Sequence, residues 1–189
     1  MQPPLRIPPV SGEGVLLPRR ISYDDPNKTG LLCGSDTAHL PTARRWAAQV
    51  TRTTPPAAYP LVASLAELHA NALRHSASGL PGGQVRIEIE RCRLLFLLHV
   101  TDDGPRPGAA PTVPVLDFSH PTEGASPDLA ECGYGLTVVE AMALCWDFSR
   151  KSGGELTVSA AFDRSGRTRT RGSTNSRWDR NNPVLCGGG

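Results

Sequence analysis

A helical segment in the middle of the chain combines a carboxylate and an amide on one face. Glu67 and Asn71 lie four residues apart in YPLVASLAELHANALRHSA, so their side chains share a face while the leucines occupy another. A polar row that borders an apolar face can line a functional site. The solvated face of an ordinary helix has the same pattern, so the row alone does not decide between these interpretations.

Two glycine-containing stretches further along could present backbone groups to a ligand. Asp102-Asp103-Gly104-Pro105 directly follows a strongly apolar strand pattern, where acidic residues and glycine can offer a carboxylate and bare backbone. Gly133-Tyr134-Gly135-Leu136 opens a helical pattern, where backbone N–H groups and the helix dipole favour phosphate. Each stretch has an ordinary alternative, because the first is also a turn sequence and a single Gly-x-Gly is common.

The bulk composition is typical of a soluble globular chain with one core. A length of 189 residues, with 39% hydrophobic and 20% charged residues, fits one domain with flexible ends. A net charge of +2 is too small to indicate a nucleic-acid or membrane partner. The five cysteines include no C-x-x-C pair, which disfavours a disulfide framework and a zinc site and favours the cytoplasm. No apolar run has the length of a signal peptide or a membrane span.

Three segments have the periodicity of helices. Residues 37–53 follow the cap-like Asp36 and place apolar side chains at helical spacing, which predicts a first helix. The next segment is the strongest helix prediction, and a third helix opens at the Gly133–Gly135 turn, with an apolar run that continues to Trp146. The apolar positions of the strongest helix lie at steps of three and four residues: Leu61, Leu65, Leu68 and Ala72.

Alternating and apolar runs predict a sheet. QVRIEIE at residues 84–90 alternates apolar and charged residues, LLFLLHV follows at residues 94–100, and GGELTVSAAF at residues 153–162 contains a closing strand. The predicted order is helix, helix, strand, strand, long loop, helix, strand. This order indicates an α+β fold, a two-layer α/β sandwich with a mixed, mostly antiparallel sheet and helices on one face.

The two ends of the chain differ in composition from its middle. Residues 1–35 are predicted to form a proline-rich arm with an edge strand near Ile21–Tyr23, because proline removes backbone donors. Residues 163–189 are rich in arginine and glycine and are predicted to form a disordered tail. The folded domain is therefore predicted to cover residues 36–162. Nucleic-acid binding by the arginines of the tail is a weaker alternative, since no matching fold motif accompanies them.

In their combination and order, these stretches resemble a known family. ELHANALRHSASG, HVTDDGP and GYGLTVVEAMA are similar to the N, G1 and G2 boxes of the histidine-kinase-like ATPase superfamily, also called the GHKL or Bergerat fold. The resemblance covers approximately residues 36–162. Within the superfamily, the wording N-A-x-R-H-S-x-S-G is most similar to the anti-sigma-factor serine/threonine kinases and regulatory ATP-binding proteins of actinobacteria.

The resemblance implies ATP and Mg²⁺ as cofactors. Asn71 would bind the metal, and an oxygen-loving octahedral ion of this kind is normally held by one or two protein oxygens together with phosphates and water. Glu67 would be the general base that orients or deprotonates a water or a serine hydroxyl beside the γ-phosphate. The ordinary alternative for Glu67 is a solvated helix carboxylate.

The resemblance also assigns the nucleotide contacts. Asp102 would accept a hydrogen bond from the adenine amino group, and Gly104 would leave room for the base. The proline-rich segment 105–132 would be the lid that closes over ATP, and Thr157 is a weaker adenine-side candidate. The phosphate cradle would comprise Gly133, Tyr134, Gly135 and Leu136.

The sequence departs from the family pattern at two positions. Arg106 stands where the G1 box often has its second glycine, and no arginine immediately precedes Gly133, where some anti-sigma kinases supply a cation to the phosphates. Arg106 could crowd the base or reach the phosphates from the lid as a compensating cation. The phosphoacceptor helix of true histidine kinases is not visible in the sequence, so His75 is interpreted as structural.

Two functions of different classes follow from the resemblance. The first is a serine/threonine protein kinase that phosphorylates an antagonist protein and sequesters a sigma factor. The second is a nucleotide-gated module that clamps a regulatory partner without efficient catalysis. In both, the expected partners are ATP and a sigma factor or an anti-anti-sigma protein. A homodimer is compatible with the resemblance, and no membrane or nucleic-acid partner is expected.

Overall fold

The computed structural model describes residues 16–111, 114 and 134–168. Within these ranges the chain forms one six-stranded sheet, three α-helices and one short 3₁₀ turn. The strands are β1 (Arg19–Ser22), β2 (Lys28–Gly34), β3 (Gln84–Arg91), β4 (Leu95–Thr101), β5 (Cys145–Arg150) and β6 (Leu156–Asp163). The helices are α1 (His39–Val50), α2 (Pro55–His75) and α3 (Tyr134–Met142), and the 3₁₀ turn at Ala77–Gly79 follows α2.

The sheet has the order β1-β2-β3-β4-β6-β5, and every strand pair in it is antiparallel. The prediction of an α+β sandwich of the Bergerat type is confirmed, but the sheet is purely antiparallel within the described residues rather than mixed. The central strand β4 lies between β3 and β6, so its carboxyl end, which leads into Asp102, lies in the middle of the sheet.

The core lies between the sheet and the helices, because each strand alternates its side chains between two faces. In β4, Phe96, Leu98 and Val100 belong to the same buried cluster as Leu61 and Leu65 of α2. The opposite face of this strand places Leu95 and Leu97 in a smaller cluster with Ala161 of β6. The longest helix, α2, therefore packs its leucines on the sheet, while its polar row faces the start of α3.

Two strands, β2 and β5, were not predicted from the sequence. β2 lies within the segment that was interpreted as an arm, and it pairs with β3 over its whole length and with β1 over residues 29–32. β1 lies at the edge of the sheet and overlaps the predicted strand at Ile21–Tyr23. The helical interpretation that ran on to Trp146 was wrong, since α3 ends at Met142 and β5 begins at Cys145.

A backbone hydrogen bond to β6 explains the end of α3. The amide of Leu144 donates to the carbonyl of Ala161 at 2.8 Å, so the chain pairs with β6 as soon as the helix stops. The side chain of Trp146 then donates to Glu140 at 2.7 Å. Apolar periodicity alone cannot distinguish the last turn of a helix from the first residues of a buried strand.

Several predicted features lie outside the described residues: residues 1–15 of the arm, most of the lid, Gly133 and most of the tail. Among the residues that are described, no helix has the length and apolar character needed to cross a bilayer. The same ranges contain no group of three or more His, Cys, Asp or Glu side chains arranged to hold a metal.

Candidate functional site

The start of α3 packs directly against the polar row of α2. A Cβ built on Gly135 would lie 2.9 Å from Nδ2 and 3.3 Å from Oδ1 of Asn71, and 3.1 Å from Oε2 of Glu67. Any side chain at this position would therefore meet the carboxylate and the amide. The fold thus brings the start of α3 next to two side chains that are far from it in the sequence, and a glycine at this position displaces neither of them.

The backbone of α3 begins at Tyr134, so the Gly-x-Gly stretch does open a helix, as its pattern indicates. The first amides of a helix have no partner within it and can bind an anion. Leu136 is half-buried and packs against the main core, so its side chain anchors the helix. Gly133, the first glycine of the predicted cradle, lies outside the described residues.

The carboxylate of Asp102 is held by backbone amides at the end of β4. Its Oδ1 accepts from the amide of Gly104 at 2.7 Å and from the amide of Leu156 at 3.3 Å. Burial raises the pKa of Asp102, and the two amides and the nearby Arg150 only partly offset this effect. Within the described residues, Oδ2 has no hydrogen-bond partner, so one carboxylate oxygen remains able to accept a bond from a ligand.

Gly104 is required by the backbone on both conformational and steric grounds. Its φ of +82° lies in the left-handed region, and a Cβ would lie 2.4 Å from the carbonyl oxygen of Gly154. Its own carbonyl accepts from the amide of Ala77 at 2.8 Å. The predicted role of leaving room for a base stays a prediction, and the structure adds that this glycine lets the Asp102 loop approach the β5–β6 turn.

Two buried serines that the sequence analysis did not single out hold the end of α2 to the Asp102 loop. Ser76 Oγ donates to the carbonyl of Ala72 at 2.6 Å and accepts from the amide of Ser78 at 3.1 Å. Ser78 Oγ accepts from the amide of Asp103 at 2.9 Å, and Asp103 Oδ2 accepts from the amide of Gln84 at 2.6 Å. The S-x-S spacing was the only signal for these residues, and it acquires meaning only from their partners.

The structure does not bring Thr157 to the helix side of the sheet. Thr157 is in register with Thr101, and their hydroxyl oxygens lie 2.9 Å apart. Because Val100 and Val158 point into the main core, strand alternation turns both threonines to the opposite face. The amide of Leu156, the residue before Thr157, contacts Asp102 instead.

Arg106 stabilises the C-terminus of α2. Its side chain donates to the carbonyl of Ser76 at 3.2 Å and to that of Arg74 at 2.8 Å. A cation at this end of a helix interacts favourably with unpaired carbonyls and the helix dipole. The alternatives considered for this residue, crowding the base or supplying a cation to phosphates, do not account for these bonds.

His75 lies at the last turn of α2 and is exposed. Partial burial, together with the charges of Arg74 and Arg106, lowers the pKa of His75. The imidazole is therefore held among cations at the helix end, where a neutral ring is favoured.

These groups fit a magnesium–nucleotide complex chemically. Gly135 lies next to the carboxamide of Asn71 and the carboxylate of Glu67 and adds no side chain there. Oxygens of these two kinds suit an ion that binds few protein oxygens. The first amides of α3 suit phosphate, and the unpaired oxygen of Asp102 suits an amino group. The serine contacts connect the Asp102 loop to the same helix that carries Asn71.

Comparison with known proteins agrees with this geometry. A family model described as histidine kinase-like ATPase domain matches residues 33–161, more than half of the chain. The matched span runs from β2 to β6 and contains the polar row, the Asp102 loop and the start of α3. No curated protein matches the chain. The match over this span shows that the chain belongs to the histidine kinase-like ATPase domain family.

Proposed function

We propose that this protein is a Mg²⁺-ATP-dependent serine/threonine kinase of the anti-sigma-factor type, which phosphorylates an antagonist protein and binds a sigma factor. Family membership implies ATP binding and supports the first half of this proposal. The observation that carries the rest is the contact of Glu67 and Asn71 with the glycine at the start of α3. A carboxylate next to a metal-binding amide and a phosphate-binding helix start is suited to phosphoryl transfer.

Each group of the site has one proposed role. Asn71 would hold Mg²⁺, and the bound ion would supply positive charge to the phosphates. Glu67 accepts the proton of the partner's serine hydroxyl as that oxygen forms its bond to the γ-phosphorus. The bond between the γ-phosphorus and the bridging oxygen breaks at the same time, and the electron pair leaves with ADP. The first amides of α3 hold the phosphate oxygens in line for this transfer.

Adenine selection is assigned to Oδ2 of Asp102. The substitution Asp102→Asn can keep a carbonyl oxygen in place of Oδ1 for the amides of Gly104 and Leu156 and replaces Oδ2 by an NH₂ donor. An NH₂ group faces the adenine amino group unfavourably and suits the O6 acceptor of guanine. We expect ATP affinity to fall roughly tenfold to hundredfold and GTP affinity to rise, measured by calorimetry. If the preference for ATP over GTP is unchanged, Asp102 does not contact the adenine.

The catalytic proposal is tested with labelled ATP, Mg²⁺ and candidate antagonist proteins. Glu67→Gln preserves size and polarity but cannot accept the proton, so phosphoprotein formation should fall by about 10²-fold or more while ATP still binds. Asn71→Ala should weaken Mg²⁺-ATP binding itself. Asn27→Ala, an exposed turn residue outside the site, is the matched control and should leave both quantities unchanged. A Glu67→Gln protein with full kinase activity would contradict the proposed base.

One observation favours the second function, a nucleotide-gated binding module. The guanidinium of Arg106 is engaged by carbonyls at the end of α2, so it supplies no free cation from the position where the G1 box departs from the family pattern. Weak charge stabilisation would slow phosphoryl transfer more than binding. If wild-type protein binds ATP and its partner affinity changes with nucleotide, but no phosphoprotein forms, the binding module is the correct function.

A further inference from the structure

A polar cavity lies at the end of the sheet remote from Asp102. Arg91 ends β3 and is in register with the beginning of β4, whereas Asp102 follows the last residue of β4. The cavity, called the distal pocket below, has a volume of about 390 Å³ and lies between the β1–β2 hairpin and the end of α1. Its walls include the cations Arg20, Lys28, Arg52 and Arg91, with Asp25 as the acidic member.

Arg91 spans the distal pocket and keeps donors available. Its guanidinium donates to the carbonyl of Val50 at 3.0 Å and to that of Pro26 at 2.5 Å, so it joins the end of α1 to the β1–β2 turn. Among the described residues these are two partners for five N–H donors. Burial and the neighbouring guanidinium groups of Arg52 and Arg164 lower the pKa of Arg91, and Asp25 opposes this effect.

The remaining cations differ in how far their charge is already neutralised. Lys28 forms an ion pair with Glu88 at 2.9 Å and lies over the ring of Tyr23. Within the described residues, Arg20 and Arg52 are exposed, and their side chains have neither a hydrogen bond nor an ion pair. The carboxylate of Asp25 accepts from the amide of Asn27 at 2.8 Å and is part of the hairpin turn. Positive charge in the distal pocket therefore exceeds negative charge.

The backbone of Arg52 is strained in this position. Its φ of 51° is the only positive φ of a residue other than glycine in the described part of the chain. A long side chain in the left-handed region costs free energy that glycine avoids. Glycine would suit the turn between α1 and α2 better, so the fold itself does not explain an arginine here.

We propose that the distal pocket binds a phosphate group, held by the guanidinium groups of Arg20, Arg52 and Arg91. Arginine presents a planar set of donors that matches phosphate oxygens, and the cavity is large enough for a small ligand. The bonds of Arg91 are explained by its link between the end of α1 and the hairpin, so the proposal depends on the exposed guanidinium groups of Arg20 and Arg52 that line the same pocket. This proposal is independent of the kinase proposal, because the two sites share no residue.

Calorimetric titration with pyrophosphate tests the proposal in the full chain at low salt. Arg20→Ala and Arg52→Ala should each weaken binding by about tenfold, whereas Arg44→Ala, an exposed arginine of α1 that does not line the pocket, should not. Equal binding by wild type and all three variants would overturn the proposal, since pyrophosphate would then occupy another site such as the nucleotide site. Absence of binding to the wild type would also overturn it.

A glycine variant distinguishes a role of the Arg52 side chain in phosphate binding from a role in stabilising the fold. Arg52→Gly should raise the midpoint of thermal unfolding, because it relieves the left-handed backbone, and should weaken pyrophosphate binding as Arg52→Ala does. A lower midpoint would show that the arginine side chain holds the fold, and would count against the proposal. A phosphoserine peptide whose other side chains are uncharged, and the same peptide without its phosphate, are titrated to identify the molecule that carries the phosphate group. Tighter binding of the phosphopeptide than of pyrophosphate indicates a phosphorylated protein.

Discussion

At the scale of single residues, Gly135 is the point where the two halves of the proposed site meet. Gly135→Ala places a methyl group about 3 Å from the ends of the Glu67 and Asn71 side chains, which must then move away from the proposed metal position. We expect Mg²⁺-ATP affinity to fall roughly tenfold to hundredfold. Because only flexible side-chain ends are displaced, the free energy of unfolding should change by less than about 1 kcal/mol.

Gly153→Ala is the matched control for this substitution. Gly153 has no atom within 4 Å of a built Cβ, so the same chemical change should leave ATP affinity intact. The measurement is calorimetric titration of both variants with ATP and Mg²⁺. Equal affinities of Gly135→Ala and wild type would show that Glu67 and Asn71 do not face the nucleotide.

A second pair of glycines distinguishes the effect of backbone conformation on stability from the effect of steric contact. Gly104 and Gly108 both have positive φ, at +82° and +77°, but only Gly104 has a backbone atom within 4 Å of a built Cβ. Gly108→Ala should therefore cost about 1 kcal/mol through strain alone. Gly104→Ala should cost about 2–4 kcal/mol, because the loop must also separate from Gly154. Urea unfolding of both variants measures the difference, and equal losses would mean that the contact relaxes freely.

At the scale of elements, α2 contacts both of the other parts of the proposed site. Its middle contacts the start of α3, and its C-terminus is joined to the Asp102 loop by Ser76 and Ser78. The bond from Ala77 to Gly104 adds a direct backbone link between helix end and loop. A change that loosens the end of α2 should therefore alter the proposed nucleotide site even though the changed residue would not contact the nucleotide.

Arg106→Ala tests this coupling. Loss of the bonds to the helix carbonyls should lower the free energy of unfolding by about 1 kcal/mol, since the residue is exposed and part of the gain is screened. Arg74→Ala removes an exposed cation from the same turn, and no hydrogen bond of its side chain is seen among the described residues, so it should cost less. Denaturant unfolding compares the two. If Arg106→Ala leaves stability unchanged but abolishes phosphoryl transfer, Arg106 acts on the phosphates instead.

At the scale of the whole molecule, the buried His69 makes stability depend on pH. Its ring is 1% exposed, and neither ring nitrogen has a hydrogen-bond partner among the described residues. Burial, with a smaller contribution from His39, lowers the pKa of His69 from 6.5 to about 4. The unfolded chain therefore binds this proton more readily than the folded chain. The stabilisation is fully present above about pH 6.5 and is lost as the pH falls towards about 4.

The size of this effect can be measured with a variant that does not titrate. Between pH 7.5 and pH 4.5 the wild type should lose about 2–3 kcal/mol more than His69→Leu in urea unfolding. His75→Leu changes an exposed histidine and should retain most of the wild-type dependence. Parallel stability profiles for wild type and His69→Leu would show that His69 is not buried in its neutral form.

The elements that sequence alone determined are those whose signal is local. The leucine spacing of α2 and the alternation of β3 follow from the periods of helix and strand, so both elements were predicted. The order of a polar helix, an acidic strand end and a glycine-rich helix start likewise identified the family. Short strands without such a period were missed, because β2 and β5 are defined by their neighbours in the sheet.

Only the tertiary structure decided which polar groups meet and which do not. It turned Thr157 to the face opposite the core, engaged Arg106 at the end of α2, and gave the serines after α2 their partners on a distant loop. The sequence carries the residue types, but strand register and long-range hydrogen bonds determine their neighbours. A shift of one residue in β6 would reverse the face of every side chain, and no local pattern records that choice.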